Sequence, residues 1–419
     1  MNERRPIGEV AREPGSVRVA GRVLVAGEGE FRLGDESGDV VVRGQAAAGD
    51  IVAVRGAVVE EADGRVLHAE QVTVLTPYRG AAPFPAPGGE AWRLSPERRA
   101  GLVARSRVLA AIRAFFAARG FLEVETPLRV TAPGLEVHLV AEPSGGRWLI
   151  TSPEYQMKRL LVGGCERIYQ VCKCFRRDEL GAHHSPEFTM LEWYRAFAGY
   201  EAIATDTEEL CAAVARAVRG HTALSYAGVT CDLAPPWERL TVADAMRRYA
   251  GLEAPGDLPV AELRRRAHAG GFGPIAEDAP WDDVFFQVFV QAVEPWLGRS
   301  GRPTILLEWP APLCALARHK PGAPTIALRF EAYACGLELC NAFDELTDSA
   351  EQRRRLEEDL ATRRARGRES YPIDARFLAA LEEGMPPAAG IALGVDRLVM
   401  LCAGAADIRD VLAFADQEL

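Results

Sequence analysis

Ile168-Tyr169-Gln170-Val171-Cys172-Lys173-Cys174-Phe175-Arg176 is followed by a polar, turn-prone run, residues 177–186, and then by Glu187-Phe188-Thr189-Met190-Leu191-Glu192-Trp193-Tyr194. These residues decide the fold. The two flanks read as strands and the run between them as a loop. On the second strand a period of two places Phe188, Met190, Glu192 and Tyr194 on one face. An aromatic ring, a carboxylate and a phenol sharing a face suit a flat ring beside a cation. On spacing alone, a β-hairpin with one solvated face explains the pattern equally well.

Two more patches lie further along the chain. In Gly390-Ile391-Ala392-Leu393-Gly394-Val395-Asp396-Arg397 the small residues let a backbone approach a ligand closely. Asp396 is expected to cap the helix that follows. Arg397 would then stand in its first turn, where an arginine near the positive helix end suits phosphate. The stretch from Arg329 to Leu346 reads as a hairpin turning at Cys335-Gly336 and running into an Arg-rich helix. Glu338 and Glu345 differ by an odd number, so one flat strand cannot show both on one face. A bend near Asn341-Ala342 is expected to reconcile them. Unpaired carboxylates in apolar strands are costly to bury, so a cation, organic or metallic, is their natural partner.

Taken in order, these patches resemble the motifs of class II aminoacyl-tRNA synthetases. Gly120-Phe121-Leu122-Glu123-Val124-Glu125-Thr126-Pro127 looks like motif 1, Phe175-Arg176-Arg177-Asp178 with its loop like motif 2, and Gly394-Val395-Asp396-Arg397 like motif 3. Thr151-Ser152-Pro153-Glu154-Tyr155-Gln156-Met157-Lys158 and Glu187–Arg195 narrow the resemblance to the lysine-activating group. Within it the stretches look most like the ligases that attach (R)-β-lysine to a lysine of elongation factor P. The resemblance covers residues 95–419.

It implies ATP-dependent formation of an aminoacyl-adenylate, with ATP as substrate and Mg²⁺ as cofactor. Arg176 would hold the α-phosphate, Arg397 the γ-phosphate, and Phe188 would stack on adenine. Arg177, Asp178, His184, Ser185, Glu338, Leu339 and Gly394 would complete the ATP site, with Glu338 and Glu345 binding the metal. Ser152, Pro153, Glu154 and Ala392 would line the amino-acid pocket. Glu154 would take the amino group near the reacting carboxylate, while Glu192, Tyr194 and Glu345 would take the distal ammonium. Two positions depart from the pattern. Relatives carry Phe-Arg-x-Glu where this chain has Asp178 followed by Glu179, so either carboxylate is a candidate for the adenine amine. Ser185 replaces the usual asparagine. His184 matches a family histidine and could bond phosphate, whereas His183 reads as a solvated loop residue.

Outside these motifs the fold class expected is α+β: strands and helices alternate irregularly, without a βαβ array. Residues 1–77 read as an OB-like barrel of five short strands, with Val17–Val23 and Val40–Arg43 alternating and turns at Asp35–Gly38 and Glu61–Gly64. A Pro/Gly linker follows at 78–94, and Ser95-Pro96-Glu97 opens a long helix that Gly120 stops.

Composition narrows the partners. Of 419 residues, 59 are acidic and 49 basic, and only Lys158, Lys173 and Lys320 are lysine. No general basic surface advertises nucleic-acid binding. Residues 1–80 hold 13 acids against 10 arginines, and their only aromatics are Phe31 and Tyr78. OB folds that grip single strands offer stacking rings and a basic groove. A tRNA partner is therefore disfavoured against elongation factor P as acceptor. Where lysyl-tRNA synthetases resemble Gly-x-Gly-x-Asp-Arg, the elongation factor P ligases carry alanine, and this chain has Ala392. A shortened lysyl-tRNA synthetase and a non-catalytic binding protein remain as alternatives. The nine cysteines lack metal or disulfide spacing, and neither an apolar leader nor a membrane span is evident, so a cytoplasmic location is expected. Motif 1 also implies a homodimer.

Overall fold

A computed structural model describes residues 4–10, 15–62, 64–93, 95–253 and 255–419. Residues 1–3 and 11–14, Asp63 of the second expected turn, Leu94 at the end of the linker and Ala254 lie outside them. The chain forms two compact units, residues 1–103 and 104–419.

In the first unit, β1 (Gly15–Ala26), β2 (Glu30–Asp35), β3 (Gly38–Arg43), β4 (Ile51–Glu61) and β5 (Gly64–Thr76) close into a barrel in the order β1-β2-β3-β5-β4. The OB-like expectation is met. Alternation explains the closure: Val19, Val23, Leu33, Val42, Val52, Val54 and Leu67 all point inward and are fully buried. The Asp35–Gly38 turn forms as expected, the Asp35 carboxylate accepting the Ser37 N–H at 2.8 Å.

Helix α1 (Pro96–Ala118) contains the division between the units. Ser95 caps it, its Oγ accepting the Arg98 N–H at 3.2 Å, and Gly120 ends it at φ +69°. The second unit is built on a nine-stranded sheet. In chain order its strands are β6 (Leu122–Glu123), β7 (Arg167–Phe175), β8 (Glu187–Ala196), β9 (Glu238–Thr241), β10 (Thr304–Pro310), β11 (His319–Lys320), β12 (Ala323–Ala334), β13 (Leu337–Asp344) and β14 (Ala388–Gly394). They lie in the order β9-β10-β12-β13-β14-β8-β7-β6, with β11 paired to β12. Most pairs are antiparallel; β6–β7 and β9–β10 are parallel. Helices α2 (Glu154–Val162), α3 (Tyr200–Arg219), α4 (Ser349–Ala365), α5 (Ala375–Gly384) and α6 (Val395–Ala403) accompany the sheet.

Register gives the sheet two unlike faces. Leu191, Trp193, Ile391, Ala342 and Phe330 share the apolar core with Phe116 of α1, which stacks on Tyr169 at 4.5 Å between ring centroids. On the opposite face Glu192 stands across from Ala392, Ala392 from Asn341, and Asn341 from Glu331. Phe188, Met190, Glu192 and Tyr194 share that face, as their spacing predicts.

The expected bend at Asn341-Ala342 is absent. Pairing there is regular, and the irregularity comes earlier: Ala332 pairs with Cys340 but Tyr333 with Glu338. Leu339 is thus the extra residue of a bulge, which turns Glu338 onto the face of Asn341. Glu345 follows just after β13 ends.

Candidate active site

Two adjoining cavities open on the polar face. One, of about 340 Å³, is bordered by Glu136, Ser152, Glu154, Glu192 and Tyr194. The other, of about 310 Å³, is bordered by His184, Phe188, Glu338, Leu339, Gly394 and Arg397. Arg176, Met190, Asn341 and Ala392 border both.

The first cavity is rich in carboxylates. Helix α2 (Glu154–Val162) sends Glu154 and Lys158 inward from successive turns. The fully buried Lys158 ammonium lies 2.5 Å from Glu154 and 2.6 Å from Glu345. Burial works against its charge, but the two carboxylates outweigh it and raise its pKa. Glu192 accepts hydrogen bonds from Ser152 Oγ at 2.6 Å and from the Tyr194 hydroxyl at 3.1 Å. Burial, then the neighbouring Glu154 charge, pushes its carboxyl well above the usual range. Burial likewise raises Glu345 to about 8, with Lys158 pulling the other way. Gly390 is required here because a Cβ would collide with the Tyr194 ring and the Glu345 carboxylate.

The second cavity brings Arg176 and Arg397 together, with Glu179, Glu338 and Asp396 also on its border. The Arg176 guanidinium sits 5.1 Å from the Phe188 ring centroid, leaving that ring as a wall. Arg397 stands in the first turn of α6 (Val395–Ala403), where it donates to the Glu338 carbonyl at 2.8 Å and lies 3.3 Å from its carboxylate. His184 Nε2 lies 2.6 Å from Arg397 Nη2. Burial, then that guanidinium, lowers the His184 pKa, so the ring is neutral near pH 7. His183 also borders this cavity, and its Nε2 lies 3.1 Å from the Tyr226 hydroxyl. Ser185 is buried at the cavity wall.

Several expected placements differ. Asp396 does not cap α6, whose N-cap is Gly394; its carboxylate instead accepts the Thr189 N–H at 2.7 Å and pairs with Arg105. That contact ties α6 to β8 and α1. Glu179 borders the second cavity, whereas the Asp178 side chain is 68% exposed and Arg177 reaches Glu369 at 3.1 Å. Pro153 precedes α2 at its N-cap without entering either cavity wall.

A divalent cation fits only one of the two carboxylates expected to hold it. Glu338 borders the cavity that contains Arg397, and its side chain is 36% exposed. Glu345 is sealed at the far end of β13 against Lys158, so the two cannot grip one ion. Among the described residues no group of three or more His, Cys, Asp or Glu could hold a metal. This suits an ion that keeps waters and arrives with phosphates, needing one or two carboxylates.

Sequence reasoning missed Glu331, Glu136 and the role of Lys158. Glu331 shares the row with Glu192 and Asn341, pairs with Arg329, and accepts the Tyr333 hydroxyl at 2.5 Å. Its signal was available, since it too is a carboxylate in an apolar strand. Glu136 carries no such signal, because it lies in an irregular loop.

Residues 91–418 match the family of class II tRNA synthetases (D, K and N). The chain belongs to this family. It is an ATP-dependent ligase. A lysine–tRNA ligase of Moorella thermoacetica is 38% identical over 397 residues, spanning 87% of this chain and 78% of that protein. An elongation factor P–(R)-β-lysine ligase of Klebsiella pneumoniae is 40% identical over 324 residues, spanning 75% of this chain and 94% of that protein. Among the described residues of this synthetase-family chain, no helix is long and apolar enough to cross a membrane.

Proposed function

We propose that this ligase activates lysine or (R)-β-lysine with ATP and transfers it to a lysine side chain of elongation factor P. The nucleotide would lie in the second cavity, its adenine on Phe188, its α-phosphate on Arg176 and its γ-phosphate on Arg397. His184 and Ser185 would add hydrogen bonds, and Glu179 rather than Asp178 stands where it can meet the adenine amine. Leu339 and Gly394 would wall the phosphates. Mg²⁺ bound with the nucleotide would neutralise phosphate oxygens, with Glu338 as its carboxylate ligand.

The amino acid would lie in the first cavity, against Ser152. Five carboxylates border this cavity, Glu136, Glu154, Glu192, Asp282 and Asp359, against the two arginines Arg176 and Arg329, while Lys158 lies behind, between Glu154 and Glu345. Arg176 is committed to phosphate in this reading, which leaves a deficit suited to a doubly cationic amino acid. Glu192 and Tyr194 would take the distal ammonium, and Glu154 the other amino group. Glu345 would act from behind, sharing Lys158 with Glu154. The carboxylate of the amino acid attacks the α-phosphorus in line, and pyrophosphate leaves. The protein contributes position and charge rather than a covalent nucleophile.

Ala392 carries the choice of acceptor family. Its methyl group borders both cavities, where carboxylate and phosphate meet, and it supports a pocket reshaped for an amino group one carbon farther along. One methyl group is worth only about 1–3 kcal/mol of discrimination. Charging of tRNA is the second reading. The Moorella match favours it, since 87% of this chain is more than residues 91–418 supply and reaches into the N-terminal unit.

Incubation with labelled lysine or β-lysine, ATP, bulk tRNA and purified elongation factor P separates the two. Label on the protein supports the first reading; label on tRNA alone replaces it with the second.

A further inference from the structure

We propose that Glu136 is the base that deprotonates the incoming acceptor amine, a role that rests on the amine-acceptor reading above. Glu136 lies in the loop before α2 and lines the amino-acid cavity. Its Oε2 is shut from solvent and has no hydrogen-bond partner. Gly134 leaves room for it, since a Cβ there would collide with the Glu136 carboxylate.

The carboxylate is held in place by its surroundings. Helix α4 (Ser349–Ala365) carries the fully buried Arg363, which donates to the Glu136 carbonyl at 2.6 Å and to that of Leu139 at 2.9 Å. Arg363 thereby clasps the turn that presents the side chain. The charged groups facing Glu136 are Glu154 and Lys158 of α2, Arg176 after β7, and Asp359 of α4. Glu136 therefore lies within electrostatic reach of both Glu154, assigned to the amino group, and Arg176, assigned to the α-phosphate. With those two roles, the acyl carbon of the adenylate would lie between Glu154 and Arg176. Burial, then Glu154, raises the Glu136 pKa, bringing it closer to that of an amine.

The chemistry needs such a group. A lysine side chain has a pKa near 10.4, so only about one molecule in 2,500 is a free amine at pH 7. A tRNA hydroxyl carries no extra proton to shed. Here the acceptor enters as an ammonium and gives one proton to the Glu136 carboxylate. The freed lone pair forms a C–N bond to the acyl carbon, and the C–O bond to phosphate breaks. AMP leaves with that electron pair, the second N–H proton passes to water, and Glu136 returns its own proton to solvent.

The test compares amine acceptors with hydroxylamine, which is already neutral at pH 7. Full-length wild-type protein and the E136Q and E136A variants are given ATP and lysine or β-lysine. Each receives elongation factor P, Nα-acetyl-lysinamide or hydroxylamine, and amide and hydroxamate are quantified. The expected result is a ratio of amide to hydroxamate at least tenfold lower in both variants, with hydroxamate itself reporting a folded active site. Equal losses of both products, or a raised KM for the amino acid in pyrophosphate exchange with the ratio unchanged, would overturn the proposal. Wild-type amide on Nα-acetyl-lysinamide but not on elongation factor P defeats the acceptor reading alone, and the small-amine ratio then judges Glu136. Wild-type hydroxamate without amide from either amine overturns both.

Discussion

The Lys158 ammonium lies 2.6 Å from the Glu345 carboxylate, and both side chains are sealed from solvent. Glu345 is thus engaged by the protein itself, just beyond the far end of β13, the strand that carries Glu338 near its start. Removing one member of a buried pair leaves the other charge uncompensated, which typically costs about 3–5 kcal/mol. Lys158→Met should destabilise the second unit by that order, read from chemical unfolding. The double variant Lys158→Met/Glu345→Gln should recover part of the loss. A single variant as stable as wild type would remove the pair from the account of the pocket.

The same crowding of acids gives a proton signature. Glu192 lies well above the usual carboxyl range, chiefly through burial. In the free protein it keeps its proton to a higher pH than an ordinary carboxyl does. A doubly cationic ligand stabilises the ionised form, lowers that pKa and must release protons as it binds. Titration calorimetry with lysine at pH 7, in two buffers of different ionisation enthalpy, should show net proton release. Identical heats in both buffers would contradict the assignment of the cavity to a dication.

Activation should depend on two arginines that approach the second cavity from different elements. Arg176 follows β7 and Arg397 opens α6. Preorganised positive charge at a transferring phosphoryl group is commonly worth about a hundredfold or more. Arg176→Ala and Arg397→Ala should each lower pyrophosphate exchange by at least about a hundredfold while the chain still folds. Near-wild-type exchange in either would remove that arginine from the phosphate site.

What was legible in the sequence was what local periodicity and turn chemistry dictate. Alternation in Glu187–Tyr194 put the right four side chains on one face, and Cys335-Gly336 fixed the hairpin turn. The barrel followed from alternating valines. What escaped depended on register and long-range contact. No local rule says that Leu339 is the bulged residue, yet it decides which way Glu338 points. Asp396 looks like a cap in sequence and becomes a tie to Thr189 and Arg105 only once three elements meet. Lys158 was part of a quoted motif, but its burial between Glu154 and Glu345 is a tertiary fact.

Dimer formation should run through the motif 1 region. Strand β6 lies at the end of the sheet and, among the described residues, pairs on only one side, and Leu122 on it is 55% exposed. An apolar residue on an open edge invites a symmetric partner. Sedimentation should find a dimer, and Leu122→Glu should shift it towards a monomer near the 45.5 kDa chain mass. An active wild-type monomer at working concentration would exclude this interface.

The N-terminal barrel should be dispensable for amino-acid activation. The Klebsiella relative aligns over 94% of its own length but only 75% of this chain, leaving no room in that protein for a matching barrel. The barrel itself offers little to a nucleic acid. Residues 1–80 carry a net charge of −3, from 10 arginines and 13 acids. Phe31 is buried in the barrel core, and the Tyr78 ring packs edge-on against Phe84 at 5.0 Å. Neither is free to stack on a base, and stacking is worth about 1–3 kcal/mol per base where it occurs. A chain beginning at Ala91, where the family match starts, keeps α1 whole. It should retain pyrophosphate exchange and bind bulk tRNA no more weakly than the full chain. An acidic barrel is better suited to docking a basic protein face, so modification of elongation factor P is the activity expected to fall on truncation. A selective loss of tRNA affinity instead would make the barrel an RNA-reading module and favour the tRNA-charging reading.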